Sequence, residues 1–192
     1  LVPGIIAMSI MQMGLFGVTF AVIQFRQQGV LRRMRATPIH PGHFLAGQII
    51  TRLIVAIIQT LVLMGAARLI FDVNLRGNLG VLLLLAAIGG GLFISMGYAI
   101  SGFTRNEETA APITNIVSLP LMFLSGVFFT REHLPGFLQF ITDFSPLTYL
   151  AEGMRKVTAD GSSLGDVSGD LIGLAIWLAV SFLIATQVFK WE

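Results

Sequence analysis

Four arginines, Arg26, Arg32, Arg33 and Arg35, fall within ten residues, and no acid accompanies them anywhere in 24–48. Guanidinium groups crowded together in this way suit carboxylates, phosphates or anionic headgroups. Few other residues offer chemistry. His40 and His43 flank Pro41-Gly42, but no third ligand lies near them in the chain, so they read as loop histidines. His133, Asp143 and Glu152 are the residue types of an acid–base set, with nothing in their spacing to fix a geometry. Gly89-Gly90-Gly91 runs on into Leu92-Phe93-Ile94 without the lysine of a phosphate-binding loop. The chain holds no cysteine, which excludes a disulfide framework or a thiolate metal site.

These residues must be positioned by a very apolar chain. Of its 192 residues 55% are hydrophobic and 11% charged, with a mean hydropathy of +0.83. A soluble domain carries about 25% charged residues, so too little charge is present to cover a water-facing surface. The composition therefore reads as an all-α, polytopic membrane helix bundle, a single domain over 1–192. A helix needs roughly 20 apolar residues to cross the hydrocarbon. Five segments qualify, at about 2–23, 49–71, 79–101, 109–129 and 171–189. All are apolar around the whole circumference, and in lipid only helices satisfy the backbone within one segment. The chain opens at Leu1 directly in an apolar run, as a fragment or a trimmed chain would; 1–23 is too long and lacks the basic leader of a secretory signal. No internal repeat is detectable.

Short loops rich in arginine and lysine stay in the cytoplasm. That rule places the link 24–48 inside, with Arg52 snorkelling back toward it, 102–108 and Lys190 inside, and 72–78 and 130–170 outside. The outer segment carries six acids, Glu132, Asp143, Glu152, Asp160, Asp166 and Asp170, against Arg131, Arg155 and Lys156. Within the basic link, Val30, Leu31 and Met34 share one arc of a helix and Arg32, Arg33 and Arg35 the other. The result is a short amphipathic helix ended by Pro38, then a turn at Pro41-Gly42. It could lie in the headgroup zone, be gripped by a cytoplasmic partner, or both. No aromatic platform suggests nucleic acid.

Inside the spans, Gln12, Gln59, Thr60, Asn115 and Ser118 are polar. They either bond between helices or line a path; Gln12, Gln59, Asn115 and Ser118 are the candidate lining. Gly89-Gly90-Gly91 suits close helix packing more than a hinge, and Gly14-x-x-Gly17 relief of crowding. Pro112 and Pro120 should kink the fourth span. Arg68 is spaced to pair with Asp72, and Arg155 to anchor an outer helix at headgroups.

Two blocks resemble a known family. QFRQQGVLRRMRATPIHPGHFLAGQ resembles the cytoplasmic link of type-2 ABC exporter permeases, with Gly29, Leu31, Arg33, Thr37, Pro38 and Ile39 in register. FLSGVFFTREHLPGFLQFITDFSPLTYLAEGMRKV resembles that family's segment after its fifth helix. There Ser125, Gly126, Phe129, Leu134, Pro135, Pro146, Leu147, Thr148, Tyr149 and Arg155 fit. Gln27 or Gln28 stands where the family often has a carboxylate, and Thr130 where it has proline. The resemblance implies that the five spans are the second to sixth of a six-helix permease. It makes Gly29, Leu31, Arg32, Arg33, Met34, Arg35, Thr37 and Pro38 the coupling segment for an ATP-hydrolysing subunit. It makes the outer segment with Pro135, Pro146, Tyr149 and Arg155 a set of short re-entrant helices. The implied partners are that ATPase, a second permease copy and membrane lipids, in a multi-pass protein of the plasma membrane, the inner membrane in a bacterium. ATP and magnesium would sit on the partner and no cofactor on this chain.

The residues support that expectation independently. The chain has neither a phosphate loop nor the buried acids of an ion relay, so uphill transport would need an external motor and no catalysis of its own. A non-transporting anchor or sensor using the same basic turn is the alternative. An intramembrane enzyme would need a reactive cluster at depth. Substrate identity is not written in an apolar, unspecialised lining.

Overall fold

The structure is a computed structural model that describes residues 2–29, 41–71, 77–104, 106–125 and 142–188. Among them every regular element is helical: α1 (Val2–Gln27, with a π-helical turn at Met13–Gly17), α2 (Pro41–Phe71), α3 (Leu79–Phe103), α4 (Glu107–Leu124), α5 (Pro146–Arg155, widening into a π-helical turn at Lys156–Asp160) and α6 (Ser168–Val188). Four of these are long and apolar enough to cross a membrane: Val2–Gln27, Ala46–Leu69, Leu79–Phe103 and Ser168–Val188. The fifth expected span, α4, falls short among the described residues, because Glu107, Glu108, Asn115 and two prolines dilute its apolar run.

Several boundaries differ from the sequence reading. Pro41-Gly42 does not turn before the second span; it opens α2, where a proline lacking its N–H loses nothing in the first turn. Glu107 and Glu108 are not loop residues but the first turn of α4, where carboxylates meet the positive end of the helix dipole. Asn106 caps that helix by accepting the Thr109 N–H at 3.1 Å, as Asn78 caps α3 through the Gly80 N–H at 2.8 Å. The helix runs unbroken through Pro112 and Pro120. α6 starts at Ser168, so that Asp170 lies in its first turn.

The core sits between α1 and α3. In their most apolar windows 50% and 56% of residues are buried, against 17% for α2 and α6, which makes the former pair central and the latter peripheral. Small residues bring the central pair together. A methyl group on Gly14 would lie 2.6 Å from the Phe93 Cβ, and one on Gly97 would lie 2.6 Å from the Gly14 carbonyl oxygen, so neither position has room for a side chain. Thr19 Oγ1 donates to the Gly97 carbonyl at 3.1 Å beside them. Around this crossing Ile6, Ile10, Met11, Leu15, Leu92 and Phe93 are fully buried.

The glycine triplet serves packing. Gly89 faces Leu150 of α5, Gly90 faces Leu53, Ala56 and Ile10, and Gly91 faces Leu178 of α6, so three neighbours seat on three consecutive residues of one unbroken helix. Most hydroxyls at depth bond to their own helix one turn back, as Thr60 does to Ala56 O, Ser95 to Gly91 O and Thr114 to Ala110 O.

Gly14→Ala should therefore destabilise the bundle by about 1–3 kcal/mol through overpacking against backbone, whereas Gly65→Ala, with nothing within 4 Å, should not. Thermal unfolding of the two variants in the same detergent checks the contrast.

Candidate functional site

Two ends of the bundle carry the polar chemistry. At the end where α1 finishes and α2 begins, α1 closes with the Gln28 N–H donating to Gln24 O at 2.9 Å and the Gly29 N–H to Arg26 O at 3.1 Å. Gly29 then takes φ of 69°, a left-handed conformation natural to glycine and strained for other residues. Of the predicted coupling residues, only Gly29 is thus placed. Leu31, Arg32, Arg33, Met34, Arg35, Thr37 and Pro38, and with them the expected amphipathic helix, lie outside the described residues, as does Asp72, the expected partner of Arg68.

The arginines bordering the link are placed. Arg26 Nη1 donates to Ser101 O at 3.2 Å and to Thr104 O at 3.0 Å, at the finishing turn of α3, whose carbonyls have no partner within the helix. Arg52 does not simply run back along α2. Its guanidinium crosses to α1, with Nη1 2.8 Å from where a methyl on Gly17 would lie, and within electrostatic reach of Tyr98 on α3. Gly17 therefore leaves the space into which a half-buried cation docks.

The candidate lining residues are not gathered into one site. Gln12 lies exposed on α1 where its π-helical turn begins, and Asn115 lies exposed on α4, which packs against α1. Ser118 is buried and its hydroxyl turns back to Asn115 O at 3.5 Å. Gln59 is half-buried on α2, a helix that packs mainly on α3 and α1.

The other end is built on α5, and here the structure is more specific than the sequence. Contacts with α3 and the residues just before it run in antiparallel order: Leu150 against Gly89, Gly153 against Leu85, and Val157 against Gly77. Gly89 is ten residues into α3, about 15 Å along its axis and roughly half the thickness of a hydrocarbon core. The α5 N-terminus therefore points into the middle of the bundle and its C-terminus returns to the end where α3 starts, as a re-entrant helix does. Leu147, Leu150 and Met154 are fully buried along it.

Three contacts tie α5 to α6 at successive depths. Deepest, Trp177 Nε1 donates to Phe144 O at 2.9 Å, giving a donor to a carbonyl at the end of the helical stretch that precedes α5. Higher up, the Tyr149 ring lies over Gly173, 2.8 Å from where a methyl group would be. Near the surface, Lys156 Nζ donates to Asp170 Oδ2 at 2.7 Å, and Asp170 is buried. Pro146 opens α5 and Arg155 projects outward, 64% exposed, 3.8 Å from Glu152; Pro135 lies outside the described residues. At the deep mouth of α5, the Ser145 and Thr148 hydroxyls are buried without a hydrogen-bond partner among the described residues. Sequence reasoning missed Trp177, Lys156 and Asp170 as a set. The available signals were an indole N–H inside an apolar span and an acid at its edge.

Comparison with known proteins agrees with this architecture. The family model described as ABC-2 type transporter matches residues 1–158, more than half of the chain. The chain belongs to the ABC-2 type transporter family. Among its relatives, "Probable multidrug ABC transporter permease YbhR" of Escherichia coli (strain K12) is 25% identical over 190 residues, covering 98% of this chain and 51% of the relative. "Linearmycin resistance permease protein LnrN" of Bacillus subtilis (strain 168) is 21% identical over 176 residues, 92% of this chain and 46% of the relative. "Daunorubicin resistance ABC transporter permease protein DrrB1" of Streptomyces coeruleorubidus is 27% identical over 169 residues, 86% of this chain and 59% of the relative. The chain spans about half the length of the curated relatives it matches. As an ABC-2 family member with four apolar spans, it is a multi-pass membrane protein.

Removing the outermost tie tests the α5 geometry. Lys156→Met leaves the Asp170 carboxylate buried without its cation and should cost about 1 kcal/mol, the low end for a stranded charge because Lys156 is 41% exposed and water reaches the pair. Lys156→Met combined with Asp170→Leu should recover most of that loss in a thermal unfolding assay.

Proposed function

We propose that this chain is the membrane-spanning part of an ABC exporter permease, which moves its substrate with energy from a separate ATP-hydrolysing subunit. The observation that carries the reading is the family match over residues 1–158 together with the re-entrant α5 beside four apolar spans. The basic end faces the cytoplasm in this reading, by the arginine rule, and the α5 end faces outward. Residues Gly29 to Pro38 form the contact for the ATPase, with Leu31 and Met34 presenting apolar anchors and Arg32, Arg33 and Arg35 meeting acidic groups or lipid. ATP and magnesium belong to the partner. The names of the relatives speak of multidrug transport and of linearmycin and daunorubicin resistance, which supports a drug as the exported substrate and a bacterial inner membrane as the setting.

A second permease copy completes the path. Gln12 and Asn115 make no side-chain hydrogen bond with another described residue, and both lie exposed at membrane depth. A polar amide in hydrocarbon is stabilised by a partner helix that can bond to it. Ile116, Leu119 and Phe123 on the same helix are exposed and supply apolar area for that contact. α4, with its weaker hydropathy, then serves as the fifth span of a six-helix permease shielded by its counterpart.

Because the chain has no cysteine, single substitutions give clean cross-links. Asn115→Cys should cross-link between copies in native membranes and Ile172→Cys, on the exposed face of α6, should not; cross-linking at Ile172 alone would reject this interface. Leu31→Asp should reduce substrate-stimulated ATP hydrolysis by the purified complex at least about tenfold, as loss of a buried apolar anchor does, with the permease still folded. Undiminished stimulation would place the ATPase contact elsewhere.

A further inference from the structure

We infer that Arg26 is the positioning residue that locks the entrance of the coupling segment to α3, so that displacement of the segment reaches the centre of the bundle. The inference rests on the proposed role of the segment and adds the route by which its motion leaves it.

Gly29 ends α1 in a left-handed conformation, which turns the chain away from the helix axis and makes a joint in its path. A push arriving from beyond this joint is not directed along α1. Three residues earlier, Arg26 Nη1 holds both Ser101 O and Thr104 O. These carbonyls carry the negative end of the α3 dipole, where a guanidinium is favoured on charge as well as on hydrogen bonding. One cation thus joins the end of α1 to the end of α3, immediately ahead of the joint. Both bonds come from Nη1, whose two N–H groups are fixed in the guanidinium plane; lysine would supply the charge but not that fixed orientation.

α3 is where such a displacement is best received. It is the most buried span, it meets α1, α2 and α5, and its most extensive interface is with α6. At the same level as the clamp, Gly102 of α3 lies against Val188 of α6, 2.7 Å from the Val188 Cγ1 to where a methyl would be. At the other end α3 carries Gly89 and Leu85, against which α5 is seated. A push on α1 and α3 together is therefore delivered along one stiff helix to α6 and to the re-entrant element. Without Arg26 the α1 end of the segment loses this tie to α3.

The test uses spin labels at Gln28 and Gln187, both exposed, introduced as cysteines in the cysteine-free chain within the complete permease and its ATPase complex. With the clamp in place, the distance between them should be narrow and the same in nucleotide-free and vanadate-trapped states. In Arg26→Ala the distribution should broaden at least about twofold, with ATP hydrolysis persisting and Arg26→Lys restoring only part of the narrowing. A distribution in Arg26→Ala as narrow as in the unsubstituted chain overturns the inference. So does an unsubstituted chain whose distance shifts between nucleotide states, a result that needs no variant to fold. Failure of the ATPase to co-purify would reject the proposed function instead, leaving the distribution widths of the permease alone to decide on the clamp.

Discussion

At the crossing of α1 and α3, Gly14 and Gly97 remove the side chains that would hold the two backbones apart, and the rest of the bundle assembles on the pair so formed. Lipid solvates apolar side chains as well as a protein core does, so burying leucine gives two helices little reason to associate there. Close backbone approach does: it adds dispersion contacts and lets Thr19 reach the Gly97 carbonyl. α2, α5 and α6 then seat on neighbouring residues of the glycine triplet in α3. The π-helical turn at Met13–Gly17 sits at this crossing, and it follows directly on Gln12, one of the exposed polar residues.

The re-entrant α5 meets a different constraint. A helix that starts in mid-bundle leaves first-turn N–H groups and the preceding carbonyls away from water. The molecule answers part of this with Trp177, whose indole N–H reaches Phe144 O, and fixes the returning end with Lys156 and Asp170. Ser145 and Thr148 remain as buried hydroxyls without partners among the described residues at the helix mouth. In transporters generally, half-helix N-termini near the midplane face the solute path.

Charge gathers at the two ends, Asp143 beside the mouth of α5 apart, and at the basic end it is structural as well as available for a partner. Arg26 and Arg52 are both turned inward, one to the carbonyls ending α3 and the other across Gly17. The arginines that the proposed function offers to the ATPase and to lipid are the remaining ones, in Val30–His40. The link thus divides its positive charge between holding the bundle and presenting a surface.

Helices, their number to within one, and the electrically different ends follow from composition and from runs of apolar residues, because hydrocarbon leaves a backbone few alternatives. The family resemblance was legible in the spacing of Gly29, Leu31, Arg33, Thr37 and Pro38 and of Pro146, Leu147, Thr148 and Tyr149. What sequence could not give was which faces meet. Helices apolar all round carry no stripe to mark the buried side, so the central place of α1 and α3, and the peripheral one of α2 and α6, emerge only on packing. The same holds for Lys156 with Asp170, fourteen residues apart, and for Arg26 with Ser101 and Thr104, more than seventy apart. Local pattern specifies what each segment becomes in a membrane; partners distant along the chain are chosen by shape, and shape exists only once the helices have docked.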